Sequence, residues 1–347
     1  MPATTLLFNA LTNLPGDNSI LWVADENSRF EAASQVAGSR HLTTISNRYP
    51  GPENPGVLFS DYDFSMLAAA TFDVIAYRVS KEKPVVHWVM NNCKRLLKPG
   101  GRLIITGKKD EGLKGYADKA VKQLGFSGKT VKHGQLYQAD LYYDGNRDGE
   151  TLDDKNYTQL RAIGEAFGFN LLSKPGLYGW NKIDQGSQCL AESFLQTVQG
   201  RTTPFKNGLD LGCGYGYLSL AMIQAGVAQV TATDNNAAAV HACTTNLGNT
   251  GFNKFSVLAD NCAQSVTDAF DLVLCNPPFH QGFDLDSSLT ERFVSRAAAL
   301  LMPGGEAYFV VNAFIGVEKV AARHFTSQET LSHTGSFKVF RFSRPRR

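Results

Sequence analysis

The chain has 347 residues, 43% of them hydrophobic and 19% charged, an ordinary globular composition with apolar material for two sizeable cores. No apolar run reaches the roughly 18 to 20 residues that cross a bilayer, and the start MPATTLLFNALTNLPGDNS lacks the basic and apolar regions of a signal peptide, so a cytoplasmic protein without membrane contact is expected. The formal net charge of +2 does not announce a nucleic-acid binder, and six scattered cysteines without a CxxC pair speak against a zinc site or a disulfide framework.

In chain order, ILWVADENSRFEAA at 20–33 reads as a buried strand followed by a junction without glycine, and FDVIAYRV at 72–79 as a second buried strand. At LLKPGGRLII, residues 96–105, a helix ends at a Pro-Gly-Gly turn and an apolar strand follows, because proline cannot continue the helix. HGQLYQADLYY at 133–143 completes the set, and the polar stretch DGNRDGETLDDKNY at 144–157 marks where it weakens.

The set is then written again. GLDLGCGYGYLSLAM at 208–222 runs from a strand through a glycine loop into a helix, and FDLVLCNPPF at 270–279 parallels 72–79. LLMPGGEAYFV at 300–310 and TGSFKVFRF at 334–342 repeat the other two segments, at offsets of 198 to 204 residues. Two tandem Rossmann-like α/β domains descended from a duplication are expected. The first covers 1–150, a linker and cofactor-covering segment 151–185, and the second domain 186–347. The first copy lacks the glycines, and it has Tyr77-Arg78-Val79-Ser80 where the second has Asn276-Pro277-Pro278-Phe279. It keeps the scaffold without the site. The last ten residues hold Lys338, Arg341, Arg344, Arg346 and Arg347 and no acid, a tail that suits either phosphates or plain solvation.

Three motifs carry chemistry. Asp210-Leu211-Gly212-Cys213-Gly214-Tyr215-Gly216 lets an apolar strand turn sharply into a helix while its backbone comes close to a ligand. Tyr217 stands where the dinucleotide fingerprint needs its third glycine, which weakens a nicotinamide reading. Asp234, 24 residues after Asp210, stands where a carboxylate accepts from a pair of ribose hydroxyls, and a cap for a helix starting near Ala237 is the alternative. Asn276-Pro277-Pro278-Phe279 follows the buried strand DLVLC. The prolines hold the chain extended without donating hydrogen bonds, so the Asn276 amide oxygen and the Pro277 carbonyl can each accept from a planar NH2 group. Such acceptors stabilise the positive charge that develops as an amine nitrogen is methylated, and Phe279 offers a face on which a base can stack.

D-x-G-x-G followed by N-P-P-[FY] resembles the class I methyltransferases that act on amino groups. The run NPPFHQG at 276–282, with the degenerate first copy, resembles the bacterial rRNA guanine-N2 methyltransferases, both the 16S enzyme and its 23S relative. The resemblance is close over 177–347 and loose over 1–150, and the ending TGSFKVFR at 334–341 favours the 16S enzyme. It implies S-adenosylmethionine as cofactor, with the loop Asp210, Gly212, Gly214 and Gly216 beneath its methionine part and Asp260-Asn261 at its adenine, a strand-end turn being the other reading of Asp260. In LYGWNKIDQGSQCL at 177–190, Asp184, Gly186 and Ser187 match the family segment that covers the cofactor. Asn276, Pro277 and Phe279 are then the catalytic residues, Asn276 is also expected among the cofactor-binding residues, and no metal is implied. The expected partner is 16S rRNA or the small ribosomal subunit, with the protein expected to be a monomer and the first domain an RNA-binding scaffold. His280 is either a general base or an RNA contact, and Asn312 lines the target pocket or ends a strand.

Three functions stay open at this point. One is a 16S guanine-N2 methyltransferase, with 23S rRNA as the second choice. The next is methylation of another planar amine, adenine N6 or a protein glutamine, at the same site. The last is a non-catalytic RNA-binding assembly factor, since the first copy shows that the scaffold survives without chemistry.

Overall fold

The computed structural model describes residues 2–28, 30, 41–145, 150–278, 280–281, 284–285 and 287–346. The chain divides into two compact units, Met1–Gln159 and Leu160–Arg347.

In the first unit β1 (Ser19–Ala24), β2 (His41–Ser46), β3 (Val57–Phe59), β4 (Phe72–Arg78), β5 (Leu97–Lys108), β6 (Phe126–His133) and β7 (Leu136–Tyr143) form one sheet in the order β3-β2-β1-β4-β5-β7-β6. The five strands from β3 to β5 are parallel, while β7 runs antiparallel to both β5 and β6. Val, Ile and Leu fill β1, β4 and β5 because both faces of the sheet are covered, one cluster centring on Leu21, Ile75 and Leu103 and the other on Ile20, Trp22 and Ile104.

The second unit opens with a hairpin, β8 (Arg161–Ala166) and β9 (Phe169–Ser173). Its sheet is built from β10 (Asn207–Leu211), β11 (Gln229–Asp234), β12 (Phe255–Ala259), β13 (Phe270–Cys275), β16 (Leu301–Asn312), β17 (Phe325–His333) and β18 (Phe337–Pro345). The order is β12-β11-β10-β13-β16-β18-β17, the same plan position by position, with β18 antiparallel. A separate ribbon pairs β14 (His280–Gln281) with β15 (Asp284–Leu285). Both units are Rossmann-like sheets of one plan, as the repeated sequence segments predict.

The duplication reaches to single hydrogen bonds. Asp73, second residue of β4, accepts from the Ser19 backbone N–H at 2.9 Å and so fixes the start of β1. Asp271, second residue of β13, accepts from Lys206 and Asn207 N–H at 2.8 and 2.9 Å and fixes the start of β10. The Pro-Gly-Gly segments differ from expectation in one respect. They do not precede the strands but lie inside β5 and β16, as a bulge between Phe72 and Val74 in one pairing and between Phe270 and Leu272 in the other. The glycines are required there, since a Cβ on Gly101 or Gly305 would come within 3.2 or 3.1 Å of the Asp73 or Asp271 carbonyl oxygen.

Two boundaries read from the sequence shift. Residues 151–185, expected as a linker, are divided between the units. Leu152 and Tyr157 are buried in the first core, with Leu152 held at both its N–H and C=O by the Asn91 amide. From Leu160 onward the hairpin packs into the second unit, where Leu171 is fully buried. These two buried side chains sit within a polar stretch, and composition alone conceals them. The match to Asn276 also moves by one residue. Tyr77 pairs with Ile105 as Cys275 pairs with Phe309, so Arg78, not Tyr77, is the counterpart of Asn276.

Candidate active site at the strand ends of the second sheet

In the second sheet the chain order reverses between β10 and β13, the switch point beyond whose C-terminal strand ends open α/β sheets place their ligands. The described candidate cofactor-binding and catalytic residues of this unit lie on that edge or on the segment leading to it.

After β10 the chain turns through Gly212, Gly214 and Gly216 at φ 83°, 53° and 89°, values that side chains disfavour, and enters the helix Tyr217–Gln224. The Gly212 and Cys213 N–H groups both donate to the Thr233 carbonyl at 2.9 Å, pinning the loop to β11. A Cβ on Gly212 would meet the Phe293 ring at 3.2 Å and one on Gly216 the Cys243 Sγ at 2.9 Å, but one on Gly214 would meet nothing within 4 Å. The loop is closed at both ends and open at Gly214.

Asp210 is fully buried in β10. Its Oδ2 accepts from the Ser219 N–H at 2.8 Å and the Ser219 hydroxyl at 2.6 Å, tying the strand to the first turn of the helix, while Oδ1 has no partner among the described residues. Burial raises its pKa to about 7 against the opposing Ser219 bonds. Asp234, at the tip of β11, clasps the loop: Oδ2 accepts from the Gly214 N–H at 3.0 Å and Oδ1 from the Asn236 N–H at 2.9 Å. The helix-cap alternative for Asp234 falls to its neighbour, since Asn236 is the N-cap of Ala237–Gly248 and accepts from the Ala238 N–H. Asp260 is buried, with Oδ1 on the Gln264 N–H at 2.7 Å and Oδ2 on the Ser265 N–H at 2.8 Å, so the strand-end turn describes its local role. Asn261 accepts from Arg292 at 3.1 Å.

Beyond β13, the Asn276 side chain donates through Nδ2 to Asp184 Oδ2 at 2.8 Å and to the Ser187 hydroxyl at 2.9 Å. A carboxylate only accepts, so the amide must turn its NH2 toward Asp184 and its oxygen away. Asp184 is also the N-cap of Gln185–Val198, accepting from the Ser187 N–H at 2.7 Å. Gly186 makes the approach possible: a Cβ there would lie 3.1 Å from Asp184 Oδ2 and 3.4 Å from Asn276 Nδ2. Pro277 is buried and Pro278 exposed. Phe279 lies outside the described residues, as does the side chain of His280, whose backbone opens β14. Asn312 ends β16, paired with Phe337.

Three polar residues that carry this arrangement were not singled out from the sequence. The Tyr215 hydroxyl accepts from the Asp184 N–H at 2.9 Å. Asn246 donates to the Tyr215 carbonyl at 2.7 Å and holds Leu172 of β9 at both its N–H and C=O, while Asn236 donates to the Gly176 carbonyl at 2.9 Å. Together they fasten the segment before Asp184 to the glycine loop. The cap role of Asn236 could be read from its place before an alanine-rich helix. Asn246 and Tyr215 act on residues dozens of positions away and leave no local signal.

Residues 168–341 match the model of the methyltransferase small domain family. The ribosomal RNA small subunit methyltransferase C of Mannheimia succiniciproducens is 30% identical over 286 residues, 81% of each chain. The chain belongs to the ribosomal RNA small subunit methyltransferase C family. Its counterpart from Erwinia tasmaniensis, 27% identical over 330 residues, covers 93% of this chain and 91% of its own. The T. thermophilus 16S rRNA N2 G1207 methyltransferase (RsmC), solved in complex with AdoMet and guanosine, superposes with a TM-score of 0.82 at 23% identity, over 98% of this chain and 92% of that one. A likeness of that extent shows that this methyltransferase family shares the two-unit fold. The relatives are named as methyltransferases, which speaks against the third open reading, a non-catalytic RNA-binding assembly factor.

Proposed function

We propose that this protein transfers a methyl group from S-adenosylmethionine to the exocyclic N2 amine of a guanine in the 16S rRNA of the small ribosomal subunit. The observation that carries the reading is the Asn276 amide, held by Asp184 and Ser187 so that its oxygen faces away from them, beside the Pro277 carbonyl at the end of β13. Family membership supports the substrate, because the relatives are named as small-subunit rRNA methyltransferases.

The residues present fit the cofactor. The loop is open at Gly214, the position where backbone must meet a ligand, and Asp210 Oδ1 is a buried polar atom left without a partner among the described residues. Gly212, Gly214 and Gly216 would hold the methionine part. Asp234, at the tip of β11 and bonded to the Gly214 N–H of the loop, would accept from the ribose hydroxyls. Asp260 and Asn261 would flank the adenine. When bound, S-adenosylmethionine supplies an electrophilic methyl group.

The chain's own contribution is alignment and charge. Asn276 Oδ1 and the Pro277 carbonyl accept from the two N–H groups of the target amine, orienting its lone pair and stabilising positive charge as it grows on nitrogen. The amine becomes acidic only after transfer, so no side-chain base is needed before that point. Phe279 stacks on the base, which enters single-stranded or flipped from its helix. The residues invoked belong to one unit of one chain, so a monomer suffices, and a ribosomal substrate puts the protein in the cytoplasm. No helix among the described residues is long and apolar enough to cross a membrane.

The test is methyl transfer from labelled S-adenosylmethionine to 16S rRNA, 23S rRNA and both subunits isolated from a deletion strain, followed by nucleoside analysis. Label in N2-methylguanine of the small subunit is expected. Label in 23S rRNA, in N6-methyladenine or in protein overturns the substrate assignment.

A further inference from the structure

We infer that Asp184 is a positioning residue that sets which end of the Asn276 amide meets the target amine, with Ser187 as its partner and Gly186 as the space that lets them approach. This departs from the family resemblance, which makes the same three residues a cover over the cofactor. It rests on the functional reading above, in which Asn276 Oδ1 accepts from the amine.

An asparagine amide is nearly symmetric in shape and opposite in chemistry at its two ends. Turned by half a rotation, Asn276 would present two N–H donors to an amine that is gaining positive charge, and the contact would change from stabilising to repulsive. Nothing in β13 itself prevents that rotation. What prevents it is a pair of acceptors on another element: Asp184 Oδ2 at 2.8 Å and Ser187 Oγ at 2.9 Å take both hydrogens of the NH2 group. In the rotated state the amide oxygen would instead face a carboxylate oxygen. Asp184 is itself fixed from two sides: its Oδ2 accepts from the Ser187 N–H at 2.7 Å, and its own N–H donates to the Tyr215 hydroxyl at 2.9 Å. Gly186 leaves the room for this, since a Cβ there would come within 3.1 Å of Asp184 Oδ2. Tyr215 belongs to the glycine loop, so the acceptor that orients Asn276 is tied to the loop proposed to hold the cofactor.

The N-cap role of Asp184 must be separated from the positioning role, and substitution chemistry does this. Serine caps helices as well as aspartate but its hydroxyl stops one atom short of Asn276, whereas asparagine keeps an acceptor oxygen at the same reach. In the full-length protein, Asp184→Ser should slow single-turnover methyl transfer by about 30-fold while S-adenosylmethionine affinity, by calorimetry, stays within about threefold. Asp184→Asn should recover most of that loss. In an Asn276→Ala background Asp184→Ser should have no further effect on the rate, because there is no amide left to orient. Should Asp184→Ser fail to fold, Ser187→Ala, inside a helix that tolerates alanine, should show a smaller loss of the same kind. Native rates in Asp184→Ser, cofactor affinity falling in step with rate, or additive losses in the double variant would each overturn the positioning role. A fully active Asn276→Ala would instead sink the functional reading beneath it.

Discussion

Arg78 stands in the first unit at the strand-end position that Asn276 holds in the second, each directly following a residue of matched register in β4 and β13. Arg78 is buried and donates to Asp25 at 3.0 Å, and it pairs with Glu111 through its other terminal nitrogen. Asp25 follows β1 where the second unit begins its glycine loop, and Trp22 replaces Asp210 at the matched register of β1. An ion triad therefore fills in one copy the place that holds the glycine loop and Asn276 in the other.

Removing one member of such a triad leaves charge buried without a counterion. Arg78→Met should destabilise the first unit by about 3 to 5 kcal/mol, read as a lower denaturant midpoint in the full chain. A loss below about 1 kcal/mol would mean that Asp25 and Glu111 do not depend on Arg78.

The buried Asp210 makes a signed prediction for pH. Its folded-state pKa lies at about 7, above the ordinary carboxylate value, so the folded protein keeps a proton that the unfolded chain has released between about pH 4 and 7. Stability from this group is present below pH 4 and is lost as pH rises through 7, on the order of 4 kcal/mol in all. Asp25, raised to about 6 chiefly by burial, adds a change of the same sign, so the difference between native protein and Asp210→Asn isolates Asp210. That difference in unfolding free energy should shrink as pH rises from 4 to 8. A difference independent of pH would show that the carboxyl is not held protonated.

Two glycines of one loop should separate fold from ligand. Gly216→Ala meets Cys243 Sγ at 2.9 Å at φ 89° and should cost about 2 kcal/mol or more of stability together with cofactor affinity. Gly214→Ala meets nothing within 4 Å and at φ 53° should cost only about 1 kcal/mol, yet weaken S-adenosylmethionine at least about tenfold, because its methyl group enters the open side of the loop. Equal effects on affinity and stability at Gly214 would place the cofactor elsewhere.

The sheet plan was legible because it is local and repeated. Apolar strands, the Pro-Gly-Gly segments and the Phe-Asp pairs recur in order, and the tandem Rossmann-like plan follows from them. The glycine loop and the end of β13 were legible for the same reason, since glycine and proline state what the backbone does. Residues whose task is set by distant partners were not. Asp184, which the family resemblance places over the cofactor, is bonded to Asn276 92 residues away. The hairpin β8–β9 hid in a stretch read as linker, because the bonds from Asn246 that hold it span 74 residues. Side-chain hydrogen bonds of that reach have no periodicity to betray them.

The central claim is that Asn276 acts on the amine and not on the cofactor. Asn276→Ala, assayed by single-turnover methyl transfer to small subunits and by calorimetry with S-adenosylmethionine, tests it directly. The rate should fall by about 100- to 1,000-fold while cofactor affinity stays within about threefold. A near-native rate, or a cofactor affinity lost in proportion to the rate, would contradict it.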